Sequence, residues 1–155
     1  MIGFCRRRLQ GGAGFTLMEL LIVVAIVGIL SIIAIPKLIE AFNRSRQRAT
    51  AADMRTISIG IEAYSVDHSF YPSASDIYEL KANLLSYPYT VLTEDGWTTP
   101  YQYSYVDGSP GPRWYTLESY GRDKIDGPAD LSPGQLFEYD NDIVVSNGQF
   151  TAWIE

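Results

Sequence analysis

The chain has 155 residues, 11 of them tyrosine, and a formal net charge of −6. That length suits one modest domain plus an extended appendage, and the acidic balance is a poor match for nucleic acid, whose phosphates need a basic face. Cys5 is the only cysteine, so no internal disulfide is possible and a small exported domain must be braced by packing, assembly or a metal.

Charge is unevenly placed along the chain. Arg6, Arg7 and Arg8 stand in an acid-free opening stretch, and from His68 onward thirteen acidic residues are offset only by Lys81, Arg113, Arg122 and Lys124. Next to the basic opening lies an apolar run, Phe15 to Ile35, with Glu19 as its only charge. At about 1.5 Å per residue the run covers about 31 Å, close to the hydrocarbon thickness of a bilayer. This predicts a membrane segment. A secretory signal peptide has a shorter apolar region with a small-residue cleavage site after it. Here Gly11, Gly12, Ala13 and Gly14 come before the run, and Pro36-Lys37-Leu38 follows it. Basic residues flank both ends, with Lys37, Arg44, Arg46 and Arg48 on the far side, so charge counting leaves the orientation open. A charge at the bilayer centre costs about 2.5–3.5 kcal/mol on insertion scales. Glu19 therefore calls for a partner, unless it snorkels to the interface.

A basic leader ending in Gly14, followed by "FTLMELLIVVAIVGILSIIAIPKL", resembles the class III signal sequence of type IV pilins and type II secretion pseudopilins. The resemblance implies cleavage by a prepilin peptidase between Gly14 and Phe15 on the cytoplasmic face, with methylation of the new Phe15 amine. It also implies that the acidic domain faces outward, in the periplasm. Glu19 would then pair with a subunit's N-terminal amine during assembly.

Pro36 follows the apolar run and removes one helical hydrogen bond, which bends or opens a helix. Helical spacing nevertheless resumes through Leu38, Ala41 and Phe42, then Met54, Ile57, Ile61 and Tyr64. One helix is expected from Phe15 to Val66. No small domain can bury a helix of that length, so its first half must meet lipid or neighbouring copies. The expected segments are a leader at 1–14, a transmembrane and assembly helix at 15–36, an amphipathic half at 37–66 and a domain at 67–155.

Beyond Val66 the period changes. A turn at Tyr71-Pro72 precedes a short helix, Ser75 to Leu84, with Ser73 or Ser75 as its cap. Tyr101–Val106 and Arg113–Tyr120 flank the turn-rich "DGSPGP" and read as a hairpin. Asn147-Gly148 between apolar runs predicts a second hairpin. The fold expected is α+β and pilin-like: a long helix packed through Met54, Ile57, Ile61 and Tyr64 on a small antiparallel sheet. The tyrosines, with Trp97, Trp114 and Trp153, are expected to pack the sheet, while Tyr101, Tyr103 and Tyr105 are open to facing a neighbour instead.

"YSVDHSFYPS", "DGWTTPYQYSY" and "YTLESYGRDKIDG" are similar to the major, G-type pseudopilin of type II secretion systems. Thr98 and Lys124 stand where that family has glycine. Asp123, Asp126, Asp130, Glu138, Asp140 and Asp142 crowd the following loop. By composition this is either a solvated acidic surface or a site for a hard cation, which takes six to eight oxygen ligands. The spacing is not that of an EF-hand. The resemblance implies Ca²⁺ held by Asp123, Asp140 and Asp142, in a region that type IV pilins pin with a cysteine pair.

His68 is the only histidine and reads as a surface residue. No Gly-x-Ser-x-Gly, phosphate loop or His-Glu-x-x-His pattern occurs, so no catalytic constellation is expected. The resemblance implies a structural subunit of a homo-oligomeric helical filament, most closely the major pseudopilin that drives type II secretion. Its implied partners are minor pseudopilins, an inner-membrane assembly platform and, before assembly, membrane lipid. The other reading is a major type IV pilin forming extracellular fibres for adhesion, motility or DNA uptake. An enzyme or binding domain on a membrane anchor is a third class.

Overall fold

The computed structural model describes residues 14–127 and 139–152. The leader through Ala13, Asp130, Glu138 and Trp153 therefore lie outside the described residues. Helix α1 spans Leu17–His68 and α2 spans Ile77–Asn83. Four strands follow: β1 Gln102–Val106, β2 Trp114–Ser119, β3 Ile143–Ser146 and β4 Gln149–Ala152. The chain divides into two compact units between Ile39 and Glu40.

The first unit is the apolar helix. Its large side chains are exposed throughout, from Phe15 at 79% to Ile39 at 54%. Helical structure continues through Pro36. Ser31 donates its hydroxyl to the Val27 carbonyl (2.7 Å), which satisfies that polar group within the helix itself.

The second unit is built on an antiparallel sheet in the order β1-β2-β3-β4. Both expected hairpins form. Val106 pairs with Trp114 at the end of the first, and Asn147 (φ 46) with Gly148 (φ 78) turns the second. Positive φ at both central residues matches the right-handed twist of the flanking strands, which explains this dipeptide here. Odd-numbered residues of β2 face inward: Tyr115 and Leu117 are wholly buried and Ser119 nearly so.

That inner face meets one stripe of α1. Met54, Ile57 and Ile61 are wholly buried and Tyr64 packs beside them. The stripe also runs further toward the N-terminus than its apolar residues suggest. Asn43, Gln47 and Thr50 are buried at the same helical spacing, and Thr50 Oγ1 accepts from the Gly96 amide (2.9 Å). A Cβ at Gly96 would lie 2.8 Å from the Arg46 carbonyl oxygen, so only glycine lets this loop approach the helix. Asp95 shapes the loop by accepting from the Trp97 and Thr99 amides (2.9 Å each) and from the Ser119 hydroxyl (2.7 Å).

Three details depart from expectation, and the open question over Tyr101 and Tyr103 resolves toward packing. Helix α1 ends at His68, where Ser69 takes a left-handed conformation (φ 66) and its amide bonds the Ser65 carbonyl. The cap of α2 is Asp76, whose carboxylate accepts from the Glu79 amide, with neither Ser73 nor Ser75 in that role. Ser75 instead donates through its amide and hydroxyl to Glu79. Tyr101 and Tyr103 belong to the core, Tyr103 donating to the Pro72 carbonyl (2.7 Å), whereas Trp114, on an even-numbered position of β2, points outward and is 53% exposed.

Candidate functional site

The N-terminal site is local. Thr16 and Glu19 form a reciprocal pair: Glu19 Oε2 accepts from the Thr16 amide (3.1 Å) and hydroxyl (3.0 Å), and the Glu19 amide donates to Thr16 Oγ1 (3.1 Å). This is a capping box, which satisfies otherwise orphaned amides at the start of α1. The Thr-x-x-Glu spacing at 16–19 announces it in the sequence, although Glu19 draws attention first as a buried charge. Gly14 and Phe15 stand just outside the helix. Pro36 lies within α1, three residues before the boundary between the two units.

The acidic site forms where β2 and β3 run side by side. Glu118 pairs with Val144 in the ladder, which brings it beside Asp142, two residues upstream. Asp126 joins them, so that Glu118, Asp126 and Asp142 each offer a carboxylate oxygen within 4.8 Å of the others. Asp142 is 2% exposed. Its Oδ2 accepts from the Gly127 amide (2.7 Å), while its buried Oδ1 has no partner among the described residues. Burial, then repulsion from Asp142 and Asp126, pushes Glu118 up to about 6. Burial also raises Asp142, against the opposing Gly127 bond. Three carboxylates of mixed exposure thus converge at one point, from the exposed Asp126 to the buried Asp142.

The residues singled out from sequence fare differently. Asp142 is in this group. Asp140 is held by Arg122 through two 2.7 Å bonds, and that guanidinium draws its carboxyl below the usual range. Asp123 Oδ1 accepts from the Ile125 amide (3.1 Å), closing a tight turn in which Lys124 is left-handed (φ 61). Neither is among the three converging carboxylates. Glu118 escaped the sequence reading because it sits on a strand, outside the acidic loop, and only the β2–β3 register brings it there.

Residues 37–133, more than half of the chain, match the family described as Type II secretion system (T2SS), protein G. The chain belongs to the T2SS protein G family. Residues 11–35 match the prokaryotic N-terminal methylation motif. The chain is 29% identical over 150 residues to the type II secretion system core protein G of Pseudomonas aeruginosa, covering 88% of this chain and 99% of that protein. It is 26% identical over 135 residues to the core protein G of Vibrio cholerae, covering 78% and 90%. Similarity to the type IV major pilin PilA of Myxococcus xanthus is 40% over 74 residues, but covers only 48% of this chain and 30% of that pilin. No solved structure matches the chain. Membership of this family, with an apolar N-terminal helix long enough to cross a bilayer, fits a protein anchored in the inner membrane. The methylation motif implies processing by a prepilin peptidase and assembly into a pseudopilus.

Proposed function

We propose that this protein is the major pseudopilin of a type II secretion system, a structural subunit with no catalytic role. The observation that carries the reading is the pairing of a protein G domain with an apolar helix that its own fold leaves bare. A soluble protein does not keep such a surface in water. Before assembly lipid covers it, and in the filament neighbouring helices do. The peptidase cuts between Gly14 and Phe15 and methylates Phe15. The domain faces the periplasm, and minor pseudopilins and an inner-membrane platform complete the machine. Glu19 exchanges its Thr16 donors for the N-terminal amine of a subunit as the helices bundle. Removing the gene should abolish secretion of type II substrates, with restoration by the full chain. Normal secretion in the deletion strain, or long surface fibres at native expression, would overturn the assignment.

A calcium ion belongs to the same reading. Glu118, Asp126 and Asp142 would hold it, with backbone carbonyls and water completing the oxygen shell. Such an ion neutralises three carboxylates that otherwise repel one another and satisfies the buried Asp142 oxygen. It would tie the 121–127 turn to β3, the task a disulfide cannot perform here. Titration of the full chain in detergent should give Ca²⁺ binding and a lower melting temperature in EDTA. Absence of both removes the ion from the proposal.

A further inference from the structure

The Asn147-Gly148 pair that turns β3 into β4 carries a chemistry of its own. Asparagine is thermolabile, and most so before glycine, which has no side chain to hinder the next amide nitrogen from approaching the asparagine amide carbon. Asn43, Asn83 and Asn141 precede Arg44, Leu84 and Asp142, and only Asn147 precedes glycine. In the reaction the Gly148 nitrogen, after losing its proton to hydroxide, bonds Cγ of Asn147. The Cγ–Nδ2 bond breaks, and that nitrogen leaves as ammonia with a proton from water. A further water then opens the cyclic imide at either carbonyl, giving aspartate or isoaspartate.

Both reacting groups are held by one residue of β2. Asn147 Oδ1 accepts from the Tyr115 amide (3.1 Å), and the Asn147 amide donates to the Tyr115 carbonyl (3.4 Å). The Gly148 amide donates to the Tyr115 hydroxyl (2.9 Å). That hydroxyl is itself fixed by Ser58 Oγ (2.8 Å) and Glu62 Oε1 (3.3 Å) on α1, and Tyr115 is wholly buried. Gly148, by contrast, is exposed, so hydroxide and water reach it. Contact with Tyr115, rather than burial, stands between this pair and reaction.

We propose that Asn147 is a deamidation site that Tyr115 keeps unreactive in the folded domain and that opening of the β3–β4 turn releases. Attack needs the Gly148 nitrogen free of its acceptor and the Asn147 side chain free of β2. Both contacts are released together when the turn lifts from Tyr115. The two products differ in their effect. Aspartate keeps an oxygen for the Tyr115 amide but sets a second carboxylate beside a turn that Glu62 already crowds, since a Cβ on Gly148 would lie 3.1 Å from Glu62 Oε1. Isoaspartate adds a backbone carbon to a two-residue turn whose geometry the hairpin needs, so the turn cannot close again as it was. A molecule that has opened here is thereby marked irreversibly. The inference stands apart from the secretion reading.

The test follows the full chain in detergent at mildly alkaline pH, reading the amide-to-acid mass gain at Asn147 by peptide mapping. Conversion should run at least about tenfold faster in guanidinium chloride than in the folded chain. Tyr115→Phe removes the acceptor of the Gly148 amide and leaves the Asn147 Oδ1 contact, which is to backbone. It should speed conversion of the folded chain by about threefold to tenfold, the worth of one hydrogen bond. Ser58→Ala removes another partner of the same hydroxyl but keeps the Gly148 acceptor, and should change the rate by less than about twofold. Hydrogen exchange of the Gly148 amide in the unaltered chain needs no variant, and should be slowed despite the exposure of this residue. Equal rates in the folded and denatured chain overturn the proposal, as does Gly148 exchange at the speed of an unfolded peptide. A folded Tyr115→Phe chain with an unchanged rate also overturns it. Acceleration by Ser58→Ala equal to that by Tyr115→Phe does so too, because a loosened core would then be the cause.

Discussion

The two units are stabilised in opposite ways. From Glu40 onward, side chains are specified by what they touch inside the molecule: Met54 against the sheet, Tyr103 on the Pro72 carbonyl, Asp95 in its own turn. Up to Ile39, almost nothing is specified from within, and the large apolar residues remain exposed. Fold stability and assembly competence are thereby assigned to different stretches of chain. A substitution can damage one and spare the other.

That separation is easiest to break at Glu19. Glu19→Val should abolish filament formation and secretion outright while leaving the melting temperature of the domain unchanged, measured on the full chain in detergent. Normal filaments from this variant would remove the assembly role. Ile57→Ala should do the reverse. Truncating a wholly buried residue of the helix–sheet contact costs about 2–5 kcal/mol, read as an earlier thermal or denaturant transition, with the apolar segment still inserting in the membrane.

The acidic site sharpens the comparison through pH. Glu118 stands near 6 in the fold and at 4.5 as a free group, and Asp142 is raised as well. Groups raised on folding contribute stability below their unfolded values, and this is lost as pH climbs through the folded ones. Without metal the domain should therefore lose stability between about pH 4.5 and 6. Asp140, depressed by Arg122, acts oppositely and only at lower pH. The proposed Ca²⁺ would bind the charged carboxylates, so the melting shift should be larger at pH 7.5 than at pH 5. Asp142→Asn should shrink that shift at both values. A shift independent of pH would remove these carboxylates from the site.

The smallest expected effect concerns Thr98 and Lys124. Both are non-glycine residues held in the left-handed region, at φ 62 and φ 61. Side chains there crowd the backbone by about 1–2 kcal/mol, partly offset by the extra freedom glycine has when unfolded. Thr98→Gly and Lys124→Gly should each stabilise the domain by up to about 1 kcal/mol, with no change in secretion.

How far each region could be read from sequence follows the same division. The apolar helix is legible because composition alone states its solvent, and the methylation motif is contiguous. The hairpins are legible because Asn147-Gly148 and the strand alternation are local signals. The outward turn of Trp114 follows from strand parity, yet a lone aromatic in an amphipathic hairpin gives no sign of which face it takes. Asn43 and Gln47 were hidden by their polarity, since the helical stripe was traced through apolar residues. The acidic site needed register: Glu118 reaches Asp142 only through the ladder, while Asp140 is withdrawn by Arg122, a pairing across 18 residues that no local pattern encodes.

The Thr16–Glu19 capping box has one more consequence. A carboxylate already coordinated by its own chain is never bare while the subunit waits in lipid. On the assembly reading proposed above, joining the filament would be a ligand exchange, in which one donor set leaves as another arrives, and the free energy released would be the difference between two occupied states.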